Sequence, residues 1–366
     1  MSELAQAITT SATYQAIIRQ PAEVRRMAQD EQAWQVADEA ATLLAQARHV
    51  FLVGTGTSHH AAQIGQFLLR AVGADAWAVT AFDFALYPQP LTVEDAVVII
   101  SHRGTKHFSR QSLEKARLAG ARLIAITGQG SPLAESGALA VPTTAQDPSS
   151  THTISYMTAL AALLQIASCL AEKQGQTDSS ARLRGGLVAI ADALDAAIAQ
   201  QTKIADALRQ MAVVGARLFF TGPGPSGVTA MEGALKCKEA AYVTAEGAAL
   251  ETFLHGPIVS LEPGDHVVFL NTFPTGTGAE RVAAVARAVE RIGAGVWLVG
   301  QPPRALGRAA WIALAAPAND EICANLAQVV PLQLLACFLA GIRGTNPDSF
   351  RRDVPAYKAA LEAITL

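Results

Sequence analysis

FLVGTGTSHHAAQIGQFLLR, Phe51 to Arg70, and FFTGPGPSGVTAMEGALKCK, Phe219 to Lys238, are one pattern written twice. Phe51 aligns with Phe219, Gly54 with Gly222, Gly56 with Gly224, Ser58 with Ser226 and Ala62 with Ala230, at one constant offset over twenty residues. Each copy reads as a short apolar strand, a tight glycine turn and a helix start, which aims free backbone N–H groups and a helix dipole at an anion. A repeat of this length decides the architecture before any single motif does. The later strands repeat as well: VVII from Val97 answers VVFL from Val267, and GARLIAIT from Gly120 answers GAGVWLVG from Gly293.

Working outward, strands of continuous Val, Ile and Leu alternate with helices, the mark of a parallel sheet covered on both faces. The expected fold class is therefore α/β: two duplicated three-layer α/β/α domains, each with a mostly parallel sheet. A helical stretch from about Ile154 to Met211 joins them. The expected boundaries are a helical N-terminal segment at 1–30, a first domain at 31–175, a second at 176–342 with its preceding linker helix, and a C-terminal tail at 343–366. Pro21 reads as a helix start, and Glu31 to Ala47 shows Ala-rich amphipathic periodicity.

Composition narrows the function classes. Hydrophobic residues make up 51% and charged residues 16% of the 366 residues, so much of the chain is expected to be buried, in cores and in a subunit interface. A dimer is the default expectation. A formal net charge of −3 leaves no basic footprint for nucleic acid or acidic membranes. The N-terminal residues lack an uninterrupted apolar run and a cleavage signature, and no stretch reads as eighteen apolar residues free of a charge or turn signal; even Asn325 to Ile342 carries Gln328, Pro331 and Gln333. A cytoplasmic protein is expected. The four cysteines, Cys169, Cys237, Cys323 and Cys337, form no C-x-x-C pair and read as reduced core residues. The eight histidines are scattered, and the adjacent His59 and His60 point to different sides of a helix, so neither a metal nor a cofactor is expected.

The two copies differ where chemistry would sit. After its second repeated strand, copy one has Ser101-His102-Arg103-Gly104-Thr105-Lys106, a small, polar and basic loop that opens a helix; copy two has NTFPTG there. Copy two alone carries Glu232, Lys236 and Glu239, spaced four and three residues apart on one helix stripe with Leu235 on its inward side, followed by His255-Gly256-Pro257. Carboxylates and an amine on one stripe can share protons, although a bare E-x3-K-x2-E pattern also suits an ordinary salt-bridged helix. One copy would hold an anionic end of a substrate and the other would carry proton chemistry, in a site formed between duplicated domains.

These residues resemble the double sugar-isomerase (SIS) domain proteins, and in particular the isomerase half of glucosamine-6-phosphate synthase. The resemblance runs from IIRQPAEV, similar to the family's opening E-I-x-E-Q-P, through GTGTS and THTISYMTAL, and is strongest at EGALKCKEAAYVTAE followed by LHGP. It implies that Glu239 is the general base between C1 and C2 of an open-chain sugar. Lys236 would be the adjacent catalytic lysine, and His255 would open the pyranose ring, reaching in from the neighbouring subunit of a homodimer. Gly56, Thr57 and Ser58 correspond to the first phosphate turn, the Ser101 to Lys106 loop to the second, and His152 to a loop that closes over the substrate. A base of tuned pKa with a nearby ammonium is also what deprotonation next to a carbonyl requires.

Two departures stand out. The family's phosphate loop is usually S-x-S-G-x-S/T, whereas Arg103 and Lys106 occupy two of those positions here, so the loop would grip phosphate with two cations or read a bulkier, more anionic group. In the tail DVPAYKAALEAITL the lysine, Lys358, stands two residues earlier than the family pattern places the one that can form a Schiff base. The initiator Met precedes Ser2 instead of a nucleophilic Cys, so glutamine dependence is not expected. The leading expectation is a sugar-phosphate isomerase and amino-sugar-phosphate deaminase, converting glucosamine 6-phosphate to fructose 6-phosphate and ammonia. The alternatives are a deglycase of a phosphorylated sugar-amine conjugate, a plain aldose-ketose phosphate isomerase, and a non-catalytic phosphosugar sensor. Trp77, Trp297 and Trp311 read as packing residues, and Glu246 and Glu251 as loop carboxylates.

Overall fold

The structure is a computed structural model that describes residues 8–87, 89–210, 217–307, 311–314 and 320–364; Met211, the expected end of the joining helix, lies outside them, as do residues 1–7 of the N-terminal segment. The chain forms two compact units. The first comprises Ala22–Asp147, Ile154–Ala189 and the described part of Ala359–Leu366. The second comprises the described part of Met1–Pro21, Pro148–Thr153 and the described residues of Ile190–Lys358.

In the first unit, β1 (Val50–Gly54), β2 (Ala76–Thr80), β3 (Ala96–Ile100), β4 (Arg122–Thr127) and β5 (Leu139–Pro142) form a sheet in the order β2-β1-β3-β4-β5. In the second unit, β6 (Leu218–Gly222), β7 (Ala245–Ala249), β8 (His266–Asn271), β9 (Gly295–Gly300) and β10 (Ile312–Ala313) repeat it as β7-β6-β8-β9-β10. Every recorded strand pair is parallel. The duplication is therefore topological as well as sequential. β1 and β3 are buried at all five positions, as strands covered on both faces must be, which explains why they read as unbroken apolar runs. Phe51, Phe84, Val97 and Ile99 pack the first core; Phe219, Phe253, Val267 and Phe269 pack the second.

The two glycine turns show why the repeat is legible. A Cβ on Gly54 would run into the Ser58 carbonyl, and one on Gly222 would lie 2.7 Å from Ser226 Cβ and 2.9 Å from the Leu270 carbonyl. Gly56 and Gly224 both take positive φ, 57° and 52°, with ψ of −126° and −131°. Only glycine meets both demands without strain.

Some expectations are corrected. Pro21 sits inside the helix Ala12–Gln29 and does not start it. The ring removes only the hydrogen bond to the Ile17 carbonyl, and Ala16, Ile17, Val24 and Met27 on either side are buried, which holds the helix together. The stretch Ile154 to Ala171 does carry eighteen residues without a charge, and it lies in a helix, Ile154–Lys173, long and apolar enough to cross a membrane, as does Glu321–Arg343. Both are buried in the protein, the first entirely. Three polar side chains of the first bond inside the protein: Thr158 Oγ1 donates to the Ile154 carbonyl (2.9 Å), Gln165 Nε2 to the Met27 carbonyl (2.9 Å) and Ser168 Oγ to the Ser180 carbonyl (2.9 Å). The joining stretch is broken into Ile154–Lys173, Thr177–Ala199 and Gln201–Gln210. Trp77 is 49% exposed and lies under the Arg70 guanidinium, 4.5 Å away. It faces solvent because it occupies the edge strand β2.

Candidate active site

The helix Pro225–Ala241 in the second unit starts on a proline, whose missing N–H costs nothing in the first turn. It packs between β7 and the helix Val329–Arg343. Gly233 permits the close approach, since a Cβ there would come within 2.7 Å of Leu332 Cδ1. This packing turns the charged stripe inward. Glu232 and Lys236 are each 1% exposed, whereas Leu235, expected on the inward side, is only half-buried. Lys236 Nζ lies 2.6 Å from Glu239 Oε2 and 3.3 Å from Glu232 Oε1. Burial alone would depress the Lys236 pKa, but the two carboxylates outweigh it and hold the ammonium above its ordinary value. Glu239, at 15% side-chain exposure, is the member of the row with an opening to its surroundings. Two carboxylates on one fixed ammonium give a proton acceptor whose partner cation cannot drift away.

Other predicted residues of this unit sit apart in kind. His255 ends the short helix Leu250–Leu254, with its side chain 79% exposed and Nε2 3.9 Å from Glu251. Glu251 is itself held by Arg281 at 2.6 Å, so it is an ion-paired surface carboxylate. His152 lies in the segment Pro148–Thr153, between the buried Thr151, which donates to the Pro347 carbonyl at 2.6 Å, and the buried Thr153. Lys358 is exposed on the helix Pro355–Glu362. Glu246 is an exposed residue of β7.

The glycine turn of the second unit is filled by its own chain. Ser226 Oγ is buried and donates to Gln328 Oε1 (3.0 Å), Asn325 Nδ2 donates back to it (3.3 Å), and Thr229 Oγ1 donates to Asn325 Oδ1 (3.0 Å). In the corresponding turn of the first unit Gly56 is exposed, and Thr57 and Ser58 are half-buried.

The first unit also carries the basic loop. Ser101 is buried at the end of β3, and its carbonyl accepts from Thr127 Oγ1 at 2.7 Å. Gly104 has φ 69°, and a Cβ there would strike Ser131 Oγ, so the turn needs glycine on two counts. His102 turns inward: its Nε2 accepts from the Asp147 backbone N–H at 3.0 Å, which leaves the proton on Nδ1. Burial, helped by the Arg103 charge, lowers its pKa to about 4. The ring is therefore a neutral brace within the loop. Arg103 and Lys106 are half-buried, Thr105 is exposed, and the helix His107–Leu118 begins directly after Lys106. Beside the loop opens a cleft of about 820 Å³, lined by Gly104, Thr105, His107, Arg110 and Leu133 among others, within the size range of small-molecule sites.

Thus the structure groups Glu232, Lys236, Glu239, His255, His152 and Lys358 in one unit, and Gly56, Thr57, Ser58 and Ser101 to Lys106 in the other. Glu232 is the member that role assignment from sequence passed over, although its spacing from Lys236 was visible. The four cysteines are free and buried, and no cluster of three or more His, Cys, Asp or Glu suited to a metal occurs among the described residues.

Residues 43–168 and 211–343 each match the SIS domain. The chain is 29% identical over 343 residues to the isomerizing glutamine--fructose-6-phosphate aminotransferase of Pyrobaculum aerophilum, an alignment covering 92% of this chain and 55% of that one. It therefore spans about half the length of that relative. Among solved structures, the C-terminal domain of glucosamine-fructose-6-phosphate aminotransferase from Francisella tularensis superposes with a TM-score of 0.82 at 21% identity, covering 93% of this chain and 98% of the other. Glucosamine-6-phosphate deaminase from Thermotoga maritima gives a TM-score of 0.69 at 20% identity, covering 93% and 97%. These two likenesses concern the fold.

Proposed function

The chain belongs to the SIS domain family, and from that premise we propose that it is a cytoplasmic, homodimeric enzyme acting on a phosphorylated sugar or amino sugar. The reaction is aldose-ketose isomerisation coupled to loss of ammonia, from glucosamine 6-phosphate to fructose 6-phosphate. The observation that carries this reading is the buried Glu232-Lys236-Glu239 row, with Glu239 alone opening outward. Such a row suits proton transfer and is an expensive way to build an ordinary helix, because desolvating three charged groups costs several kcal/mol per ion.

In this reading Glu239 takes the proton from C2 of the open-chain amino sugar, giving an enolamine, and returns it to C1. The resulting ketose imine adds water and expels ammonia. Lys236 is held charged by its two carboxylates, with Glu232 still ionised beside it while Glu239 carries the proton, and its positive charge steadies negative charge developing on the sugar oxygen. His255 serves ring opening, supplied to the neighbouring subunit, and Lys358 and His152 serve the sugar. Gly56, Thr57, Ser58 and the Ser101 to Lys106 loop serve the phosphoryl group, the loop's two cations replacing hydroxyl donors with charge-assisted ones.

A second reading, a deglycase of a phosphorylated sugar-amine conjugate, is favoured by Arg103 and Lys106, which suit a substrate with an additional anionic group. The test is incubation of purified protein with glucosamine 6-phosphate, following ammonia and fructose 6-phosphate separately, with Glu239→Gln as control. Equal amounts of both products and a dead mutant support the deaminase. Full activity in Glu239→Gln removes that residue as the base. Binding without either product moves the deglycase and sensor readings ahead.

A further inference from the structure

Three non-glycine residues hold a positive φ among the described residues: Tyr242 (54°), Phe350 (52°) and Arg351 (58°). They meet at one place. Tyr242 is the residue that ends the helix Pro225–Ala241, three positions after Glu239, where a helix would ordinarily be closed by glycine. Its hydroxyl donates to the Asn346 carbonyl at 2.9 Å and accepts from the Arg351 backbone N–H at 3.0 Å. The Arg351 guanidinium stands 4.9 Å from the Tyr242 ring centre and 3.9 Å from that of Tyr357. It is held between two aromatic faces.

The same segment closes the helix end. The last carbonyls of a helix have no partner within it. Here Thr345 Oγ1 donates to the Ala240 carbonyl at 2.8 Å and Arg343 Nε to the Ala241 carbonyl at 2.9 Å. Left-handed tyrosine and arginine persist only where surrounding contacts over-determine them, and such residues gather at functional positions.

We infer that Tyr242 and Arg351 form a latch that holds the last turn of this helix, and with it Glu239, to the segment from Arg343 to Lys358. Both are positioning residues. The consequence for catalysis rests on the isomerase reading above; the latch itself does not. Glycine at 242 would relieve the backbone yet remove both the phenol and the stacking face, which is the physical reason for a tyrosine there.

The test is hydrogen-deuterium exchange of the Glu239 to Tyr242 amides in the wild type, Tyr242→Phe, Arg351→Ala and Arg351→Lys, with the β6 amides as internal reference. Loss of the two phenol hydrogen bonds, each worth about 1 kcal/mol, predicts roughly 5- to 30-fold faster exchange in Tyr242→Phe, a smaller increase in Arg351→Ala, which keeps its backbone donor and loses only the stacked guanidinium, and partial rescue in Arg351→Lys. The same variants should lower kcat with KM unchanged. Wild-type exchange in both Tyr242→Phe and Arg351→Ala overturns the latch, and faster exchange with full kcat overturns the positioning of Glu239. If the wild type turns over no sugar phosphate, the isomerase reading falls, and the exchange rates alone still decide whether the latch holds the turn.

Discussion

Lys236 Nζ lies 2.6 Å from Glu239 Oε2, three residues along one helix, with the ammonium 1% and the carboxylate 15% exposed. A surface pair at that spacing would be worth a few tenths of a kcal/mol. Buried, with Glu232 on the other side, the same three residues become a unit in which the lysine cannot be removed without stranding two carboxylates.

Lys236→Met should therefore destabilise the second unit by about 3–5 kcal/mol, read as a lower urea midpoint. Adding Glu232→Gln should recover part of the loss, because one stranded carboxylate is removed. The sign with pH follows from the raised pKa. The lysine's contribution is fully present below its unfolded value of about 10.4 and is lost as pH rises through the higher folded value, so the gap between wild type and mutant should stay level from pH 7 to 9.

His102 predicts an acid effect. Its pKa falls from 6.5 to about 4 on folding, so the folded state binds fewer protons in that window and stability declines as pH drops from 6.5 towards 4. The full effect corresponds to about 3 kcal/mol. His102→Gln keeps an acceptor for the Asp147 N–H, and urea midpoints taken across this range should lose that part of the slope. An unchanged slope would show that His102 is not the group responsible.

Arg103→Ser removes the guanidinium and keeps a small hydroxyl donor in the loop. If the guanidinium binds the phosphoryl group, KM should rise about 10- to 100-fold with kcat little changed, the loss expected for charge-assisted hydrogen bonds. Steady-state kinetics on the turned-over sugar phosphate decide it, and an unaltered KM assigns Arg103 elsewhere.

Gly54→Ala should cost about 1–3 kcal/mol, because the added methyl meets the Ser58 carbonyl, which belongs to backbone and cannot swing aside. Gly222→Ala should behave alike, its methyl meeting Ser226 and the Leu270 carbonyl. Thermal melts of both variants check the equivalence of the two turns.

The sequence alone determined the duplication, because the glycine turns recur at one offset and Gly56 and Gly224 answer a local demand for positive φ, and it determined the α/β class and parallel strands, because unbroken apolar runs alternate with helices. It also determined that Glu232, Lys236 and Glu239 share a stripe, since helix spacing is a local property. Which way that stripe faces was decided only by tertiary packing: the helix Val329–Arg343 and β7, remote in the chain or reached through a turn, bury the charges and leave Leu235 half out. Pro21 was misplaced for a related reason, since local propensity marks a start and burial on both sides overrides it. The plug of Ser226 by Asn325 and Gln328, and the closure of a helix at Tyr242 by Arg351, join residues about a hundred positions apart. No periodicity encodes such pairs, because they exist only once two distant segments have been brought within hydrogen-bond reach.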